Sequence, residues 1–181
     1  MSDGAVWLVR HAQPLIATGL CYGITDMAAD DAATRHSAAV LAGQLPPGTQ
    51  VLSSPLRRCI QLTDELLRLR PDLRATTDLR LVEMNFGTWE GWRWDDIPKA
   101  AIDQWNAQFG SWRFGGQESV QELMDRVAGV WQKRDPDQPV AWVTHAGVIR
   151  AAMLLSTGVT TVERSDQWPT KPFEFGTYLR I

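Results

Sequence analysis

Apolar and polar positions fall in blocks along this chain, and the blocks predict its elements. Ala5-Val6-Trp7-Leu8-Val9 is a continuous apolar run between Gly4 and the polar pair Arg10-His11, the pattern of a strand buried on both faces. A loop marked by Pro14, Gly19 and Gly23 follows. From Asp30 to Leu45 an Ala-rich stretch with acidic residues at its start, ended by Pro46-Pro47-Gly48, predicts a helix. Gln50-Val51-Leu52-Ser53 predicts a short strand. Ser54-Pro55, a capping residue and a proline at the first helical position, predicts a helix through Leu69 that Pro71 stops. Leu73 to Thr77 reads as an edge strand. Val120, Leu123, Val127, Val130 and Trp131 recur at helical spacing behind Gly115-Gly116, so a helix is expected from about Glu118 to Lys133. Pro139 to Thr144 is another apolar strand, Ala146-Gly147 opens another helix, and Phe175 to Ile181 reads as a last strand. Strands alternating with helices of this length predict an α/β fold, a three-layer, mainly parallel sheet with helices on both faces. In such sheets ligands bind at the carboxyl ends of the strands.

Composition narrows the picture. A chain of 181 residues with 44% hydrophobic residues suits one core, and a single domain over residues 1–181 is expected. Eighteen Lys and Arg against 21 Asp and Glu give a net charge of −3, and no basic run of five or more occurs, a poor footprint for nucleic-acid binding. Met1-Ser2-Asp3-Gly4 lacks a basic region followed by a long apolar stretch, and Arg150 interrupts the most apolar later segment. Neither a signal peptide nor a membrane span is expected. Two cysteines, Cys21 and Cys59, lie far apart and outside any Cys-x-x-Cys spacing, which fits a reducing cytoplasm. Five of the nine tryptophans, Trp89, Trp92, Trp94, Trp105 and Trp112, fall within 24 residues. The Gly- and Trp-rich residues 84–117 therefore read as an excursion, a short lid that covers something.

The candidate chemistry sits at three strand ends. His11 directly follows the first strand and His145 follows the strand ending near Thr144, whereas Arg35-His36 repeats the dipeptide Arg10-His11 inside a predicted helix. Position, and not the dipeptide, therefore carries the signal. A third strand end, Val51 to Ser53, runs into a helix N-terminus with Arg57, an arrangement that attracts anions. Arg10, His11, Arg57 and His145 then share one target, most simply a phosphate. A neutral imidazole is a good nucleophile toward phosphorus, and flanking cations keep it neutral while binding the phosphoryl oxygens. The leaving alkoxide needs a proton, for which Glu83, bordered by apolar residues, is the candidate donor. Three histidines without His-x-His or His-Glu-x-x-His spacing make no obvious metal site, and neither a metal nor another cofactor is expected.

Five segments, in order, resemble the signature segments of the histidine phosphatase superfamily, the phosphoglycerate mutase-like fold. They are Leu8-Val9-Arg10-His11-Ala12, Ser53-Ser54-Pro55-Leu56-Arg57-Arg58, Glu83-Met84-Asn85-Phe86-Gly87-Thr88-Trp89-Glu90-Gly91, Gly115-Gly116-Gln117-Glu118-Ser119 and Thr144-His145-Ala146-Gly147-Val148-Ile149-Arg150. The resemblance implies a phosphohistidine intermediate on His11, phosphate binding by Arg10, Arg57 and His145, proton transfer by Glu83, and further substrate contacts from Tyr22, Gly23, Ala146 and Trp89. Ala12 stands where the family usually has glycine. The family's mutases carry Trp-Asn five to seven residues after the catalytic histidine, where this chain has Ile16-Ala17-Thr18, which weighs against a mutase.

Within the superfamily, Cys21-Tyr22-Gly23-Ile24-Thr25-Asp26, Trp89-Glu90-Gly91 and the Gly-Gly-x-Glu-Ser segment look most like the α-ribazole phosphatase group, which acts in assembly of the cobalamin nucleotide loop. An aromatic lid suits a substrate with a flat base through stacking, although tryptophans of this kind also serve simply to pack an excursion against a sheet. The expectation is a phosphomonoesterase acting on a small-molecule phosphate ester, with no nucleic-acid or membrane partner and a homodimer left open. A phosphoglycerate mutase or broad sugar-phosphate phosphatase is the alternative on the same site. A non-catalytic phosphate-binding scaffold is the alternative of another class.

Overall fold

The computed structural model describes residues 4–181. Met1, Ser2 and Asp3, on which part of the N-terminal reading rests, lie outside the described residues. Five strands, β1 (Val6–Arg10), β2 (Gln50–Ser53), β3 (Arg74–Thr77), β4 (Val140–Thr144) and β5 (Tyr178–Arg180), form one sheet in the order β3-β2-β4-β1-β5. The first four are parallel to their neighbours, and β5 pairs antiparallel with β1 at the edge. The expected mainly parallel sheet is therefore present, closed on one side by an antiparallel strand.

The helices are α1 (Asp31–Ala42), α2 (Arg57–Leu69), α3 (Lys99–Ala107), α4 (Val120–Trp131) and α5 (Ala146–Ser156). Period-two alternation along the central strands assigns them to two faces. Trp7, Val9, Ala141 and Val143 pack with Ala38, Leu41, Cys59, Leu62 and Leu66 of α1 and α2. Val6, Leu8, Val140 and Trp142 pack on the other side with Leu123, Val127, Val148 and Ile149 of α4 and α5. The start of α4 shows how local sequence fixes a boundary. Ser119 Oγ accepts from the Glu122 N–H while the Glu122 carboxylate accepts from the Ser119 N–H, a reciprocal cap worth about 1 kcal/mol.

The predicted start of α2 needs correction. The helix begins at Arg57 with Leu56 as its N-cap, and Ser54 makes no cap at the helix end. Its hydroxyl is engaged elsewhere, with His145. Pro55 and the tight loop after β2 delay the helical conformation by two residues.

The Trp-rich excursion folds as short 3₁₀ turns, Gly87–Trp89 and Trp94–Asp96, followed by α3. It is strapped to the loop after β1 by backbone bonds, Cys21 N–H to Trp92 O at 2.7 Å, Gly91 N–H to Cys21 O at 2.8 Å and Trp94 N–H to Gly19 O at 2.9 Å. Cys21, Ile97 and Phe114 form a small core of their own there, with Phe86, Trp89 and Trp105 packed around it. Among the described residues no helix is long and apolar enough to cross a membrane.

Candidate active site

The three central strands, β2, β4 and β1, end side by side and deliver Ser54, His145 and His11. The ladder continues one residue past each end. His11 N–H donates to Thr144 O at 3.1 Å and Ser54 N–H to Val143 O at 2.9 Å. The two imidazoles come to rest with their centroids 5.1 Å apart. His11 and His145 are both buried.

Neighbours assign the protonation of the His11 ring. His11 Nδ1 lies 2.7 Å from the Ala12 carbonyl, which only accepts, and His11 Nε2 lies 3.3 Å from Arg58 Nε, which only donates. The proton therefore sits on Nδ1 and the lone pair on Nε2 faces the cleft cations. Burial, then the Arg58 charge and with it Arg10, push the His11 pKa down to about 3, against the opposing pull of the Ala12 bond. His145 is held well below the ordinary value by burial first, then by His11 and the Arg58, Arg126 and Arg10 charges. Ser54 Oγ accepts from the Leu56 N–H and lies 2.8 Å from His145 Nε2. His145 Nδ1 is buried without a partner.

The second arginine of the site is Arg58 and not Arg57, a correction to the sequence reading. Arg57 starts α2 exposed, and only its backbone N–H is engaged, with Asp26 Oδ1 at 2.7 Å. Arg58 is fully buried, one of the largest buried side chains. It donates to Gly23 O at 2.6 Å and Thr25 O at 2.8 Å besides facing His11. The sequence did carry this signal. Arg58 shares a helical face with Leu62 and Leu66, whereas Arg57 is in phase with Gln61 and Asp64.

Arg10 is part-buried, donates to the Phe173 carbonyl and lies with Cζ 3.7 Å from the Phe175 ring centroid. Its Nε is buried with no partner. The Tyr22 ring lies 5.6 Å from Arg58 Cζ. Gly23 is buried where a Cβ would overlap the Met84 carbonyl oxygen, so glycine alone allows the loop to approach. Glu90 clips this loop, accepting from Ile24 N–H at 3.0 Å, Thr25 N–H at 2.8 Å, Phe86 N–H at 3.1 Å and the Thr25 hydroxyl. The two carbonyls that seat Arg58 are thereby held in place.

Glu83 stands across from the histidines. Its Oε1 accepts from Met84 N–H at 3.0 Å and its Oε2 from Gly147 N–H at 3.1 Å, in the first turn of α5, where a Cβ at Gly147 would collide with the carboxylate. Arg126 supports the Glu83 segment by donating to the Arg80 and Val82 carbonyls at 2.7 Å each, and is itself paired with Glu118 at 2.6 Å. Ala146 is the first residue of α5 beside His145. Trp89 is not free in the way the substrate reading expects. Its ring is edge-on to Trp92 at 5.3 Å and packs against Phe114 at 5.9 Å. Among the described residues no group of three His, Cys, Asp or Glu side chains is placed to hold a metal.

Two orphaned atoms define what the site lacks. Arg10 Nε, a donor, and His145 Nδ1 are both buried, and neither has a partner. Buried polar atoms of this kind demand partners. With Arg58 alongside, the missing partner is an anion with several oxygens.

The neutral histidines also make the fold sensitive to acid. An unfolded histidine binds a proton below its ordinary pKa of 6.5, while folded His11 stays neutral until about 3. Stability is thus fully present above pH 6.5 and is lost as pH falls. Each histidine removes up to about 1.4 kcal/mol per pH unit, so the pair should lower unfolding free energy by about 4 kcal/mol from pH 8 to pH 5. Urea titrations at the two pH values measure this. A His11→Asn variant should recover about half, and an unchanged midpoint in the parent chain would contradict the neutral pair.

Comparison with known proteins accounts for this arrangement. The family model for the histidine phosphatase superfamily (branch 1) matches residues 6–170. No curated protein sequence matches significantly. Among solved structures, a mycobacterial glucosyl-3-phosphoglycerate phosphatase superposes with a TM-score of 0.76 at 23% identity, covering 97% of this chain and 88% of that one. A second protein, called mycobacterial hydrolase 1, gives 0.79 at 21% identity, covering 97% and 90%. The protein TTHB049 from Thermus thermophilus gives 0.73 at 24% identity, covering 98% and 92%. The structural likenesses establish the shared fold, and the family model spans most of the chain together with the strand-end histidines. The chain therefore belongs to branch 1 of the histidine phosphatase superfamily and is an enzyme that hydrolyses phosphate esters.

Proposed function

We propose that this protein is a metal-independent phosphomonoesterase that works through a phosphohistidine on His11. The observation that carries this is the pair of orphaned polar atoms, Arg10 Nε and His145 Nδ1, set around a neutral imidazole whose Nε2 lone pair faces Arg58. A phosphoryl group supplies the partners these atoms lack. His11 Nε2 attacks phosphorus as the bond to the leaving oxygen breaks, and Glu83 gives that oxygen its proton. Water then attacks the phosphohistidine, Glu83 takes a proton from the water, and inorganic phosphate leaves with His11 restored. Arg10, Arg58 and His145 neutralise the charge on the equatorial oxygens throughout.

For the leaving group we propose a nucleoside-like alcohol, with α-ribazole 5'-phosphate, in cobalamin nucleotide-loop assembly, as the substrate. The likeness of the loop after β1 and of the Trp89-Glu90-Gly91 and Gly-Gly-x-Glu-Ser segments supports it, as does the density of aromatic rings near Glu83. The mycobacterial structural neighbour named a glucosyl-3-phosphoglycerate phosphatase favours a second reading, a sugar-phosphoglycerate ester. A panel of α-ribazole 5'-phosphate, glucosyl-3-phosphoglycerate and both phosphoglycerates, assayed with a metal chelator, decides. The expected result is chelator-resistant phosphate release with the highest kcat/KM for α-ribazole phosphate. A higher value for the glucosyl ester supports the second reading, and isomerisation of phosphoglycerate faster than any hydrolysis would make the protein a mutase.

A further inference from the structure

A cavity of about 230 Å³ opens beside the Glu83 carboxylate, between the excursion and α5. Rings from four separate segments wall it: Phe86 from just before the Gly87–Trp89 turn, Trp94 from the next 3₁₀ turn, Trp105 and Phe109 from α3 and the turn after it, and Trp168 from the loop before β5. Arg150, one turn along α5 from Gly147, is the charged group that joins Glu83 in the lining. Its Nε donates to Pro169 O at 2.8 Å, which ties the Trp168 loop to the cavity rim.

The rings are held by one another. Trp105 stacks with Phe114 at 4.4 Å and with Phe109 at 5.4 Å, Trp94 lies parallel to Phe114 at 6.2 Å, and Trp168 meets Phe109 at 6.2 Å. Trp94 remains 37% exposed, and Trp168 is half-buried, so both keep ring surface to offer. Trp105 adds a further sign of a missing ligand, because its indole N–H is buried with no acceptor.

We infer that this cavity is the leaving-group subsite, and that it selects esters whose alcohol carries a planar aromatic ring with a hydrogen-bond acceptor for the Trp105 N–H. The inference rests on the phosphatase reading and adds to it the residues that choose the substrate. Glu83 fixes the occupant. A carboxylate that protonates the leaving oxygen must lie next to whatever that oxygen is attached to, so the space on its far side belongs to the alcohol. Wall chemistry fixes the class. A polyhydroxylated sugar would bring many hydroxyls into a site with few polar groups, and each would be left unpaired. A flat ring needs only the faces and the one N–H that the walls provide. The volume is sufficient, since an apolar cavity of about 150 Å³ takes up benzene. Trp89 and Trp92, next to each other on the excursion, lie outside this lining and so carry no stacking role.

The test compares 2-phenylethyl phosphate with butyl phosphate, two alkyl esters of similar leaving-group basicity that differ in the ring. A third ester, 2-(benzimidazol-1-yl)ethyl phosphate, adds the acceptor. The parent enzyme should show kcat/KM at least about tenfold higher for the phenyl ester than for the butyl ester, and higher again for the benzimidazole ester. Trp168→Leu, alone and with Trp94→Leu, should bring the phenyl-to-butyl ratio to within about threefold. Trp105→Phe keeps the ring and removes the N–H, and should cancel only the advantage of benzimidazole over phenyl. Trp92→Leu should change neither ratio. Hydrolysis of all three esters at similar rates by the parent, or ratios unchanged in Trp168→Leu, would overturn the subsite while leaving the phosphatase intact. Failure to hydrolyse any of them, with no label on His11, would remove the phosphatase reading and the subsite together.

Discussion

Replacing His11 with alanine should abolish the covalent intermediate and lower phosphate release by roughly 10⁴-fold or more, as removal of a covalent nucleophile does in enzymes whose groups act as a unit. Brief exposure to a radiolabelled ester followed by quenching measures the intermediate directly. A phosphoramidate is base-stable and acid-labile, so label on the parent enzyme should survive alkali and vanish in acid. Label that persists in acid would point to a hydroxyl ester and sink the assignment. The variant should keep its fold, because the buried ring bonds to its own chain neighbour and to Arg58 and packs beside His145 and Phe175 at the cleft, outside both main apolar clusters. Labelling also tests the arginines. Arg58→Ala should slow it severely, since the guanidinium sits at the attacking nitrogen, while Arg57→Ala should leave it nearly unchanged because that side chain is exposed.

Glu83→Gln should cost ~10²–10⁴ in rate for esters of poorly acidic alcohols. Its amide fills the same space and its one oxygen accepts from one of the Met84 and Gly147 N–H groups, so the change removes the transferable proton and one backbone hydrogen bond more than a shape. The loss should shrink sharply for an aryl phosphate, whose phenolate departs without a proton, and the second step, attack of water on the phosphohistidine, should then become limiting. Burst kinetics on the aryl ester would show this as accumulation of labelled enzyme. An equal loss on both classes of ester with no burst would mean that Glu83 only shapes the cleft.

These expectations rest on features of unequal origin. Local sequence determined the order of strands and helices, because a buried strand needs a continuous apolar run and a surface helix needs an apolar stripe, and both are visible in 10 or so residues. It also determined where chemistry would gather, since parallel strands place their carboxyl ends on one edge, and Arg10-His11 and Thr144-His145 directly follow two such runs. The helical phase of α2 even held the information that Arg58 faces inward with Leu62 and Leu66. A buried arginine runs against the usual partition of charge, however, and its cost is met only by the Gly23 and Thr25 carbonyls, which lie more than thirty residues earlier.

Tertiary structure alone decided the rest. Adjacent residues at the start of a helix point about 100° apart, so Arg57 and Arg58 look alike in sequence and differ completely in space. Ser54 reads as a helix cap until His145, 91 residues away, engages its hydroxyl. Five clustered tryptophans look equivalent as a composition, yet packing turns Trp89 toward Phe114 and Trp92 and sets Trp94 and Trp105 beside Glu83, with Trp168 joining them from the far end of the chain. Hydrophobic periodicity reports which face of an element is buried. Which partner covers that face, and which buried donor is left without an acceptor, depends on contacts between segments far apart in the chain, and only their packing settles it.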